Sequence, residues 1–143
     1  MRYIAPRRAQ AVGDAQYRTL AAFRYALRRF FRFSELAAAA AGVTPRQYQA
    51  LLAVRAWSGD EPVTVGDLAE QLQLRHHSAV GLVQRLQARS LLVRGALARD
   101  RRRATLTLTP RGRRLLERLA AEHRDELRRS RPQLRALLRL LDD

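Results

Sequence analysis

The side chains with the most chemical potential stand together in "LRHHSAVGLVQRLQARS", residues 74–90. Ala79, Leu82, Val83 and Leu86 recur at helical spacing, so the stretch reads as a helix with one inward face. Arg75, His76 and His77 then fall at its head, where the helix dipole is positive and each cation is disfavoured by ~0.3–1 kcal/mol. Arg75 also occupies the position where a Ser or Asp cap is expected. Three chemistries compete for such a cluster: a metal site, a catalytic histidine, and a helix head that meets a phosphate.

A metal site fits poorly. His76 and His77 point about 100° apart on a helix, His123 is the only other histidine, and no cysteine can complete a ligand set. Catalysis fits no better, because the sequence has no Gly-rich phosphate loop, nucleophile motif or pair of carboxylates sharing a face. No enzymatic activity, metal or cofactor is expected. A phosphate at the helix head would offset the cations and accept the free backbone N–H groups. On this reading Arg75, His76 and Ser78 serve the head, His77, Gly81 and Gln84 face outward, and Arg85 flanks them. Gly81 costs up to ~1 kcal/mol in mid-helix but removes a side chain where a groove wall would come close. Ser78 and Gln84 add polar groups suited to base edges, which a purely electrostatic binder does not need.

The charge agrees. All 28 basic residues are arginine, against 13 acidic residues, for a net charge of +15. Residues 1–33 hold eight arginines against one acid, and residues 63–108 hold eight against three. A polyanion is the natural partner, with nucleic acid ahead of an anionic membrane surface. No apolar run approaches the ~18 residues of a membrane span, and no apolar signal core opens the chain, so a cytoplasmic location is expected. The absence of cysteine excludes disulfides and a thiol switch.

These residues need a scaffold, and the punctuation supplies one. A first helix over ~14–41 carries Leu20, Phe23, Leu27, Phe30 and Phe31 on one stripe. Gly42 stops it, and Thr44-Pro45-Arg46-Gln47 forms a capping box for a second helix that buries Tyr48, Leu51 and Leu52. Thr64 to Asp67 starts a short third helix burying Leu68, Ala69 and Leu72, and residues ~76–89 make the fourth. "SLLVRGAL" and "ATLTLT" read as strands flanking a basic hairpin loop, "ARDRRR", with Arg101, Arg102 and Arg103 at its tip. Thr109-Pro110 caps a fifth helix to ~129, and a last Leu-rich helix follows, with Leu134, Leu137, Leu138 and Leu141 on one stripe. The fold class is mainly α with a small β-hairpin wing: a winged helix-turn-helix over 44–108, with 14–43 and 109–143 as dimerisation helices of one domain.

The stretch "VTVGDLAEQLQLRHHSAVGLVQRLQARSLLVR" (63–94), followed by "DRRRATLTLTPRG" (100–112), resembles the MarR family of bacterial transcriptional regulators. Asp100, Arg102, Leu108, Thr109 and Gly112 fill the family's wing pattern. The resemblance implies a homodimer with interleaved terminal helices on double-stranded DNA, helix 76–89 in the major groove and the wing near the minor groove. It also implies a ligand-responsive repressor acting on a pseudo-palindromic operator, with a small aromatic or anionic effector. Tyr25 and Phe33, off the main stripe of the first helix, are candidates to line an effector pocket. Three residues depart from the pattern: Gln73 where the turn usually has Gly, Arg75 in place of a Ser cap, and Ser90 in place of the Gly that ends the recognition helix. The alternative function is a nonspecific basic nucleic-acid-binding protein, nucleoid- or RNA-associated, in which charge alone does the binding.

Overall fold

The structure, a computed structural model, describes residues 11–142. Its elements run α1 (Asp14–Ala40), α2 (Pro45–Ala56), α3 (Val65–Gln71), α4 (His76–Ala88), β1 (Leu92–Leu97), β2 (Asp100–Leu108), α5 (Pro110–Arg129) and α6 (Arg131–Asp142). Threonine starts three of the helices. Thr44 Oγ1 accepts from the Gln47 N–H at 3.1 Å while Gln47 Oε1 accepts from the Thr44 N–H at 3.0 Å. Thr64 and Asp67 exchange the same pair of bonds at the head of α3. Thr109 Oγ1 accepts from the Gly112 N–H at 3.0 Å and donates to the Ser90 carbonyl at 2.6 Å, tying the head of α5 to the end of α4. Each such cap contributes about 1 kcal/mol.

The helix ends share one device. At the end of α1, the Val43 N–H reaches the Ala38 carbonyl and the Gly42 N–H reaches Ala39. At the end of α3, Leu74 bonds to Ala69 and Gln73 to Glu70; at the end of α4, Leu91 bonds to Leu86 and Ser90 to Gln87. Each pair is a Schellman motif, which requires a left-handed residue just past the helix. Gly42 (φ 77°) meets that demand freely, whereas Gln73 (φ 52°) and Ser90 (φ 57°) meet it under strain. The turn between α3 and α4 therefore keeps its tight geometry without glycine.

The core sits where α2, α3, α4 and the hairpin meet α5, around Leu51, Leu68, Leu82, Leu86, Leu92 and Leu119. Ala79, Leu82, Val83 and Leu86 are all buried, so the inward face of α4 is the one the periodicity predicts. Gly112 is fixed by close approach: a Cβ there would lie 2.1 Å from the Leu91 carbonyl oxygen. A buried His123 joins α5 to α1 and α2. Its Nδ1 donates to the Leu119 carbonyl at 2.7 Å, its Nε2 lies 2.9 Å from Ser34 Oγ, and its ring stacks on Tyr48 at 4.2 Å. Burial pushes the Tyr48 phenol above its ordinary value, so it stays neutral.

The α1 stripe is only partly covered within one chain: Leu20 and Phe31 are exposed, Phe23, Leu27 and Phe30 are half-buried, and Ala26, Ser34, Ala37 and Ala38 are buried. Three expectations need correction. Leu52 is exposed and Leu72 only half-buried, because α2 and α3 present those positions to the side. The hairpin turn is Ala98-Arg99 rather than all of "ARDRRR", since Asp100 already pairs with Leu97. Register then jumps from Leu97↔Asp100 to Ala96↔Ala104, leaving Arg101, Arg102 and Arg103 as a bulge on β2.

Candidate nucleic-acid interface

Among the described helices, α2, α3 and α5 begin with a side-chain cap and α4 does not. Arg75 holds the cap position in extended conformation, and its carbonyl accepts from the Ser78 and Ala79 N–H groups at 3.0 and 3.1 Å. The N–H groups of His76 and His77 lie beyond reach of any helical carbonyl. Arg75, His76 and His77 are exposed, and no acidic residue occupies the first turn. An electropositive, unsatisfied helix end thus faces outward, a geometry that accepts an anion.

Along the helix, Gln84 and Arg85 are exposed while Ser78 and Gly81 are half-covered. The cover over Gly81 is the end of Arg85, whose Nη1 would lie 3.3 Å from a Cβ there. This guanidinium is mobile in principle and can swing off the glycine, leaving bare backbone on the outward face.

The wing reaches the same surface. Asp100 Oδ1 accepts from the Arg102 N–H at 3.1 Å and lies 3.5 Å from Arg102 Nε, while the Arg102 side chain is 95% exposed. The carboxylate therefore braces the base of the side chain and leaves its guanidinium projecting. Arg101 and Arg103 are exposed on either side. A cleft of about 170 Å³ joins these parts, with His76 and Val80 of α4, Thr64 to Gly66 at the head of α3, and Arg94, Arg102 and Arg103 of the wing on its walls.

Two contributors lay outside the sequence reading. Arg94, on β1 opposite Leu106, brings a further guanidinium to the cleft. The segment before α3 closes onto the wing: Thr64 bridges Thr105, and the Leu106 N–H donates to the Val63 carbonyl at 2.8 Å. Arg99 of the hairpin turn is also held back by an ion pair to Glu61. Arg94 stands on a strand whose four central residues are all exposed, which alone does not mark it; the pairing of residues 63–64 depends on long-range packing and gave no signal.

Tyr25 and Phe33 do not share a cavity. Tyr25 lies with Arg29, Glu126, Arg129 and Gln133 at a small cleft where α1 meets the α5–α6 junction. Phe33 packs edge-on to His123, with ring centroids 5.4 Å apart. Among the described residues, no three His, Cys, Asp or Glu side chains gather as a metal site. No described helix is long and apolar enough to cross a membrane.

Two short helices at a tight turn, an outward-facing second helix and a bulged basic hairpin define a winged helix-turn-helix protein. Residues 41–103 match the model of the MarR family. MepR, a transcription regulator of the Staphylococcus aureus multidrug efflux pump MepA, is 22% identical with a TM-score of 0.72, covering 87% of this chain and 95% of MepR. A structure of the S. aureus MepR–DNA complex matches with 22% identity and a TM-score of 0.68, over 85% of this chain and 94% of that one. AbsC, a MarR family transcriptional regulator from Streptomyces coelicolor, is 21% identical with a TM-score of 0.68, over 85% of this chain and 81% of AbsC. No curated protein matches the sequence.

Proposed function

We propose that this chain is a sequence-specific DNA-binding transcriptional regulator that acts as a homodimer on a pseudo-palindromic operator. The observation that carries the reading is the convergence of an uncapped α4 head and a projecting Arg102 on one cleft. An α-helix fits the major groove, where Gln84 and Ser78 meet base edges and the free N–H groups of the head meet a phosphate. Arg102 then reaches the neighbouring minor groove, which is narrow and most negative in A·T-rich sequence. A neighbour of the same fold solved as a DNA complex supports the assignment.

The second copy is supported by the terminal helices. α6 packs on α1 with Leu137 and Leu140 half-buried, and leaves Leu134, Leu138 and Leu141 exposed, as are Leu20 and Phe31 of α1. Apolar side chains in that number on a single chain fit an interface between copies. Repression released by a small aromatic or anionic effector, bound near Tyr25 or Phe33, completes the proposal.

The test is binding to duplex DNA from upstream of the chain's own coding region, mapped by footprinting and then quantified by anisotropy. Arg102→Ala is expected to weaken binding by about 1–3 kcal/mol and to relax preference at the flanks of the site, while Gln84→Ala relaxes preference within the half-sites. Equal affinity of the wild type for all duplexes, changing only with salt, would replace the proposal with nonspecific polyanion binding.

A further inference from the structure

A second basic cleft lies at the opposite end of α4 from the DNA-facing head, roughly 20 Å away along a helix of 13 residues. Its volume is about 340 Å³, and four arginines line it: Arg89 just past α4, and Arg111, Arg114 and Arg118 on α5. Leu91 and Leu115 form part of its wall. We propose that this cleft binds a small organic or inorganic polyanion carrying at least two phosphate or carboxylate groups.

The four guanidinium groups share one property. No carboxylate lies within ion-pair distance of any of them among the described residues, although the chain pairs Arg32, Arg99, Arg102, Arg124, Arg128 and Arg129 elsewhere. Arg111, Arg114 and Arg118 follow one another at helical spacing of three and four, an arrangement in which like charges repel. Arg111 adds to this by sitting in the first turn of α5, where the dipole disfavours a cation and no acid compensates. Arg89 faces them from another element, with its guanidinium donating to the Gly42 carbonyl at the α1–α2 turn. Apart from the Arg89 bond to Gly42, no contact within the chain compensates for gathering these like charges around one hollow, whereas an anion with two or more charges is matched by them through paired N–H donors.

The size and setting favour a small ligand over the DNA backbone. The hollow is concave and backed by apolar side chains, as ligand sites are. It is also remote from the cleft where His76 and Arg102 converge. The wider cleft beside β2 differs in composition, since Glu117 lines it together with Arg55 and Arg113, whereas no carboxylate lines the cleft of the four arginines. The proposal is independent of what α4 binds. It does carry a consequence for α4, since an anion that draws on Arg89 acts on the residue that anchors the end of that helix to Gly42.

The test uses the full chain and inorganic pyrophosphate, followed by isothermal titration calorimetry at 0.15 M salt. Wild-type protein should bind one pyrophosphate per chain at the cleft. The double variant Arg114→Gln/Arg118→Gln should lose at least about tenfold in affinity. Arg24→Gln/Arg28→Gln, which removes the same charge from exposed positions on α1, should lose less than about threefold. Thermal melts serve as the second readout: without ligand, the cleft variant should melt at or above the wild type, because repulsion has been removed. With excess pyrophosphate the wild type should gain more than the variant. Failure of the wild type to bind, or equal loss in the two double variants, overturns the proposal. So does a cleft variant that keeps pyrophosphate but loses affinity for duplex DNA, which would make the arginines a backbone contact.

Discussion

Replacing Ser90 by glycine should stabilise the protein, and the left-handed backbone fixes the size of the gain. A non-glycine residue in that region carries about 1–2 kcal/mol of strain. Glycine relieves it but loses about 0.5–1 kcal/mol through its freer unfolded chain. Ser90 Oγ makes no hydrogen bond, while the Ser90 carbonyl that accepts from Thr109 survives the change. The net gain for Ser90→Gly is therefore about 0.5–1 kcal/mol, or roughly 2–4 °C in melting temperature for a domain of this size. Gln73→Gly relieves the same strain but forfeits the bond from Gln73 Nε2 to the Glu70 carbonyl at 2.8 Å. An exposed bond of that kind contributes about 0.5 kcal/mol, so this variant should gain less than Ser90→Gly. Differential scanning calorimetry at fixed protein concentration reads both. Glycine should exceed serine at position 90, and alanine should fall at or below serine. If Ser90→Ala matches Ser90→Gly, the residue is not held left-handed and the strain argument fails.

Other substitutions probe the remaining contacts. Gly112→Ala forces a Cβ against the Leu91 backbone carbonyl, which cannot swing aside as a side chain could; urea unfolding should show a loss of about 2–4 kcal/mol. Glu61→Gln releases Arg99 at the wing turn. An exposed pair contributes under about 1 kcal/mol, so stability should barely change, while the salt slope of DNA binding should steepen by up to about one freed cation. Leu138→Glu with Leu141→Glu places charges on the exposed face of α6; sedimentation at micromolar concentration should shift from dimer to monomer if that face joins two copies.

How far the sequence was readable depended on the range of the interaction responsible. Threonine caps and the inward face of α4 are set within four residues, and each matches the structure. The hairpin was visible, but its turn was not. Reading "ARDRRR" as one loop assumes that clustered charge avoids strands, whereas a bulge allows three arginines to remain on β2 without pairing. Arg94 was missed because a charged residue on a strand face says only that the face is wet. Its position beside His76 and Arg102 follows from how the hairpin folds over α3 and α4.

The α1 stripe shows where a one-chain argument stops. Leu20, Phe23, Leu27, Phe30 and Phe31 repeat at the spacing of a buried face, yet the chain covers that stripe fully only at Ser34, Ala37 and Ala38 further along, leaving Phe23, Leu27 and Phe30 half-buried and Leu20 and Phe31 exposed. Both facts hold because a helix of 27 residues can have one stripe covered by its own chain at some positions and open at others. Periodicity reports that a face is apolar and is silent on what covers it. His123 is the converse case. As an isolated histidine in a polar-looking helix it carried no assigned role in the sequence, but the fold places it between Ser34, Tyr48 and the Leu119 carbonyl, with both ring nitrogens engaged. A buried polar ring whose partners come from three helices fixes their relative rotation, since any slip would leave a nitrogen unpaired. That rotation determines which face of α1 turns outward. The histidine at the centre of the platform thus decides where the exposed stripe points, and with it the surface available to a second copy.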